Sequence, residues 1–75
     1  MPVTDFALRG DHITLDALLK ATGLAASGGH AKLQIAEGGA MVNGQTETRR
    51  GRKLRAGDRV QLGGQTVQLQ AATPG

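Results

Sequence analysis

The chain has 75 residues, nine lysines and arginines against six acids, no cysteine, and Phe6 as its one aromatic residue. These totals describe one small domain with a core of Leu, Ile, Val and Ala; they exclude a disulfide scaffold and a zinc finger, and two histidines without supporting carboxylates argue against a metal site. No apolar run approaches the roughly 20 residues of a membrane span, and Thr4, Asp5, Arg9 and Asp11 interrupt any signal-peptide core after Met1, so a soluble cytoplasmic protein is expected.

Residues 3–8, VTDFAL, alternate imperfectly and predict a short edge strand. Arg9 to His12 form a turn; the tripeptide Arg9-Gly10-Asp11 matches an integrin motif, which without a secretion signal is a coincidence. Residues 14–22, TLDALLKAT, predict a helix. Thr14 is its N-cap, and Leu15, Leu18, Leu19 and Thr22 share one face. Asp16 suits the positive end of the helix dipole and is placed to pair with Lys20, and Gly23 stops the helix. Ser27 caps a second helix over 28–37, in which Gly28 and Gly29 leave the first backbone N–H groups open. Ala31 and Ile35 share a face, whereas Leu33 points elsewhere, so this helix is expected to bury more than one side. Lys32 lies between those faces, where its stem packs and its ammonium reaches water.

After Gly39 the period becomes strand-like. AMV at 40–42, Asn43-Gly44 and QTE at 45–47 predict a hairpin with a type I′ turn. RVQL at 59–62 and TVQLQ at 66–70, joined by Gly63-Gly64-Gln65, predict a second hairpin, and 71–75 a frayed tail. Helices segregated from hairpins mean an α+β fold rather than a parallel sheet.

The charge is unevenly placed. Between residues 49 and 59 lie six cations and one acid, a local +5, while the other 64 residues carry −2. Such asymmetry suits a polyanionic partner, although a solvated loop would carry the same charge. Arg49, Arg50, Arg52, Lys53 and Arg55 are candidate phosphate ligands, because guanidinium is a planar, permanently charged fork. Leu54 interrupts them and is expected to plug into the core, turning its neighbours outward together. Glu47 and Asp58 bracket the run. The SGGH start of the second helix, with Gly28, Gly29 and His30, is a second candidate anion site, and Lys32 one turn on could extend either patch. No catalytic constellation, P-loop or dinucleotide fingerprint is present, so neither an enzyme nor a cofactor is expected. With Phe6 claimed by the core there is no base-stacking platform, which turns the reading from single strands toward phosphates and shape, as in structured RNA.

The run LDALLKATGLAASGGHAKLQIAEGGAMVNGQ, followed by AGDRV, resembles the S4 RNA-binding domain. The resemblance rests on Leu15-Asp16, Gly23-Leu24-Ala25, Ser27, Ala31-Lys32, Ile35, Gly38, Val42-Asn43-Gly44 and Gly57-Asp58, and covers residues 13 to about 62. With its ETRRGRK segment and short length, the chain is most similar to the small stand-alone bacterial S4-like proteins of the YbcJ type. The resemblance implies an αL motif, two short helices packed on a small antiparallel sheet, with RNA along the second helix and the adjoining basic loop. It also places Lys32 at a basic position of the family's second helix. The chain departs from the family at Thr14, where Arg is frequent, at Ala17, where Lys is frequent, and at Ser27-Gly28-Gly29, where Ser-Arg-Ser is usual.

The resulting expectation is a single-domain, monomeric, non-catalytic protein that binds ribosomal or transfer RNA, mainly through phosphates. Its expected site comprises Gly28, Gly29, His30, Lys32, Arg49, Arg50, Arg52, Lys53 and Arg55. The rival is a protein-interaction module whose basic loop docks an acidic protein surface.

Overall fold

A computed structural model describes residues 3–72 and holds nine elements, seven of them at positions the sequence pattern predicts. In chain order they are β1 (Val3–Ala7), β2 (Ile13–Thr14), α1 (Leu15–Ala21), α2 (Gly28–Ala36), β3 (Ala40–Val42), β4 (Gln45–Thr46), β5 (Lys53–Leu54), β6 (Arg59–Leu62) and β7 (Gln65–Gln70). Five strands form one sheet in the order β1-β7-β6-β3-β4, and β2 with β5 forms a separate two-stranded ladder. The α+β class is as the sequence indicates. Of the expected frayed tail, 73–75 lies outside the described residues. No helix among the described residues is long and apolar enough to cross a membrane.

The core is aliphatic. Leu15, Leu18 and Leu19 of α1 and Ala31 and Ile35 of α2 pack with Ala40, Val42, Val60, Leu62, Val67 and Leu69 of the sheet. Phe6 is half-buried against this cluster. The period-2 alternation of β6 and β7 puts Val60, Leu62, Val67 and Leu69 inside and Gln61 and Gln68 at the partly exposed face. Asn43 and Gly44 both take positive φ, 52° and 83°, the shape a two-residue hairpin turn requires.

Several expectations change in detail. β1 is an edge strand as expected, but it pairs in parallel with β7, Val3 opposite Thr66 and Ala7 opposite Gln70, so the sheet is mixed rather than wholly antiparallel. Both helices and strands β2 to β6 lie between β1 and β7, which gives the chain the long crossover a parallel pair demands. Gln65 belongs to β7, leaving Gly63-Gly64 alone as the turn. Leu33 is 60% exposed, so α2 buries only the Ala31–Ile35 face, and Lys32 is exposed as well. Asp16 does not pair with Lys20; its carboxylate accepts from the Thr14 hydroxyl at 2.7 Å and the Ala17 N–H at 2.8 Å.

The least expected element is the β2–β5 ladder, Ile13 opposite Leu54 and Thr14 opposite Lys53. Thr14 is the N-cap of α1 by backbone position, yet its side chain caps nothing. The first amides of α1 bond instead to the basic segment: Leu15 N–H donates to the Arg52 carbonyl at 2.9 Å and Asp16 N–H to the Arg50 carbonyl at 3.1 Å. Leu54 is fully buried beside them. Truncating it removes the anchor of the segment together with core volume. Leu54→Ala is therefore expected to cost about 2–5 kcal/mol in urea unfolding, a large share of the stability of so small a domain.

Candidate nucleic-acid interface

The cationic segment is held at five places. Beyond the β2–β5 ladder and the two bonds to α1, it closes a turn on itself, Arg52 N–H to the Arg49 carbonyl at 3.2 Å. At its far end the Asp58 carboxylate accepts from Arg55 N–H at 2.8 Å and from the Asn43 amide at 3.0 Å, and the Asn43 side-chain oxygen accepts from Arg59 N–H at 2.9 Å. Partial burial pushes the Asp58 carboxyl up, but these donors outweigh it and hold it below the usual carboxylate range. At its near end stands Glu47, only 7% exposed. Its carboxylate accepts from the Arg49 N–H, Nε and Nη2 at 3.1, 3.1 and 3.2 Å and from Arg52 Nη1 at 2.8 Å.

These restraints give the cations unequal roles. Arg49 and Arg52 share Glu47, yet the Arg49 side chain remains 74% exposed and that of Arg52 36%. Arg50 and Lys53 are exposed and make no ion pair among the described residues. The Arg55 guanidinium stands 4.0 Å from Asp11, both groups largely in water. Arg49, Gly51, Arg52 and Lys53 together line an open depression of about 510 Å³. A larger cleft of about 680 Å³ between β1 and α1, lined mainly by Phe6, Leu8, Ile13, Ala17 and Ala21, contains none of the candidate cations.

The second candidate patch is at the other end of the helix pair. Ser27 caps α2 as expected, its hydroxyl oxygen accepting from His30 N–H at 3.2 Å. The His30 Nδ1 accepts from Ala26 N–H at 3.1 Å, which leaves the ring's proton on Nε2, exposed. Gly28 faces the Lys20 stem on α1, whereas Gly38, beyond the other end of α2, faces Thr46, next to Glu47. Gly28 thus lies toward the opposite end of α1 from Leu15 and Asp16, whose amides bond to the 49–55 segment. Gly28, Gly29, His30 and Lys32 are all exposed on α2.

Two contributors escaped the sequence reading. Glu47 had a signal, an acid opening a run of cations, but nothing in the sequence says that it is buried. The carbonyls of Arg50 and Arg52 have none, since any residue could supply them.

A family model described as S4 domain matches residues 6–70. The chain is 45% identical over 60 residues to the putative RNA-binding protein YbcJ of Escherichia coli strain K12, covering 80% of this chain and 86% of that protein. It is 44% identical over 52 residues to the probable ribosome maturation protein RlbA of Bacillus subtilis strain 168, covering 69% and 73%. The solution structure of E. coli YbcJ, described as revealing an αL motif involved in RNA-binding, superposes with a TM-score of 0.71 at 42% identity, over 91% of this chain and 87% of that one.

The Glu47 contacts have a consequence for pH. The hydrogen bonds from Arg49, then those from Arg52, lower its carboxyl from an ordinary 4.5 to about 2. A depressed carboxyl contributes stability that is complete above its unfolded value and is lost as pH falls through the folded one. Stability is therefore expected to decline between about pH 4.5 and 2, and Glu47→Gln to flatten that decline while lowering Tm at pH 7. Thermal unfolding of both proteins across this range checks it.

Proposed function

This chain belongs to the S4 domain family, and we propose that it binds structured RNA without catalysing a reaction, using the 49–55 segment as its main phosphate-contacting surface. The observation that carries this reading is a set of cations fixed by their backbone yet open at their heads. Arg50 and Lys53 sit on a segment tied to α1 and to β2, with exposed side chains. A loop whose charge served only solubility would need no such restraint.

Phosphate recognition also fits what is missing from the surface. Phe6, the one Phe, Tyr or Trp, packs against the core, so the surface offers no large aromatic platform for stacking successive bases. Contacts to the backbone of a folded RNA ask only for positive groups at suitable spacing. Lys32 and the Gly28–His30 start of α2 extend the cationic surface along the helix and would meet a second stretch of the same ligand. The description of the B. subtilis relative as a probable ribosome maturation protein favours ribosomal RNA. On this reading the protein acts by occupying its RNA site.

The test uses Arg50→Ala, Lys53→Ala and Arg55→Ala together, since none of these side chains holds Glu47. The triple variant should stay folded and bind a labelled ribosomal RNA fragment at least about tenfold more weakly. With about 3 to 5 phosphates neutralised, log K for the wild type should fall against log salt with a slope on the order of −2 to −4. Unlabelled transfer RNA should displace the probe, and a polyglutamate peptide of equal charge should not. Displacement by polyglutamate, with no loss in the triple variant, would point to an acidic protein as the partner.

A further inference from the structure

Glu47 is the one buried charged residue among the described residues, and it lies beside the most cationic stretch of the chain. Its contacts add stability above the unfolded carboxyl range, but an apolar residue could supply as much. Taking a carboxylate out of water is costly, and replacing buried ion pairs with apolar side chains is often neutral or stabilising. Nor does its side chain tie distant parts of the fold together. All four groups that it accepts from belong to Arg49 and Arg52, two and five residues along the chain.

What those bonds achieve is orientation. Arg49 gives Nε and one Nη to the carboxylate, and Arg52 gives one Nη. Both guanidiniums keep N–H groups that Glu47 does not take, and both arginines line the open depression with Gly51 and Lys53. Two long side chains that would otherwise sample many rotamers are restrained by one carboxylate.

We infer that Glu47 is a positioning residue of the RNA interface, fixing Arg49 and Arg52 so that a phosphodiester group meets two guanidiniums already in place. The inference rests on the RNA-binding reading above. Its gain is entropic: rotamers frozen during folding are not frozen again on binding. It makes a prediction opposite in sign to simple electrostatics. Neutralising an acid beside a polyanion site should tighten binding, whereas loss of the positioning carboxylate should weaken it.

The experiment measures affinity for the same labelled ribosomal RNA fragment in Glu47→Gln, Glu37→Gln and the triple alanine variant. Each is checked for fold by its amide spectrum. Glu37 is an exposed acid at the end of α2 and reports the Coulomb effect alone. Glu47→Gln should bind about 3- to 10-fold more weakly despite its extra positive charge, and Glu37→Gln as well as wild type or better. Should Glu47→Gln fail to fold, Arg49→Lys decides. It keeps the charge but cannot offer paired Nε and Nη donors, so a loss of at least about threefold is expected, against less than about twofold for Arg50→Lys. Folded Glu47→Gln that binds as tightly as wild type or more so, while the triple variant is weakened, overturns the inference and leaves the RNA reading standing. If Glu47→Gln is unfolded, Arg49→Lys with wild-type affinity does the same. A triple variant with unchanged affinity removes the RNA reading, and the inference with it.

Discussion

The cationic segment and the first helix are one structural unit, and the bonds between their backbones make them so. A helix begins with N–H groups that have no partner of its own, and a helix of seven residues is too short to hold itself together in water. In α1 the first two amides are satisfied by the carbonyls of Arg52 and Arg50. The helix thereby acquires its cap and the segment acquires its shape. Leu54, buried next to the same junction, adds about 1.5–3 kcal/mol of apolar burial to the bond-making. The positive surface is thus coupled to the core without any cationic side chain being sacrificed to make the connection.

Concentrating like charge on a small domain has a cost in self-repulsion, and the acids around the segment are placed to offset it. Glu47 serves two arginines at one end, Asp58 caps the backbone at the other, and Asp11 lies at the limit of ion pairing with Arg55. The same contacts explain two elements of the S4 resemblance. Asn43 sits beside Asp58 and Arg59 and bonds to both, so the Asn43-Gly44 turn and the Gly57-Asp58 pair form one junction between β3 and β6. These residues hold the scaffold. The candidate ligands are a separate set, which allows Thr14, Ala17 and Gly28-Gly29 to depart from the family's usual residues while the fold persists.

Much of this was legible from local pattern. The 3.6-residue spacing in α1, the Ser27 cap, the Asn43-Gly44 turn, the alternation in β6 and β7 and the anchoring Leu54 all carry their signal within a few residues of chain. What was hidden is long-range or belongs to the backbone. β2 and β5 are two residues each, too short to show a period, and meet across some forty residues. The orientation of β1 depends on which strand it finds, and VTDFAL looks the same in parallel and antiparallel pairing. Leu33 was misplaced because an apolar residue does not announce which side of a nine-residue helix faces the core. The site divided in the same way. Its cations could be counted from the sequence, but the burial of Glu47 and its bonds to Arg49 and Arg52 required three dimensions.

On the proposed reading, RNA meets a cationic surface already formed in the free protein. Titrating isotope-labelled protein with a structured ribosomal RNA fragment, and following backbone and arginine Nε–H signals, tests it most directly. The account predicts that Arg49 and Arg52 Nε–H groups are ordered before RNA is added, and that shifts on binding concentrate at residues 49–55 with a weaker set at 28–32. Shifts centred on Gln61, Gln68 and Gln70 across the sheet, with residues 49–55 unmoved, would contradict it.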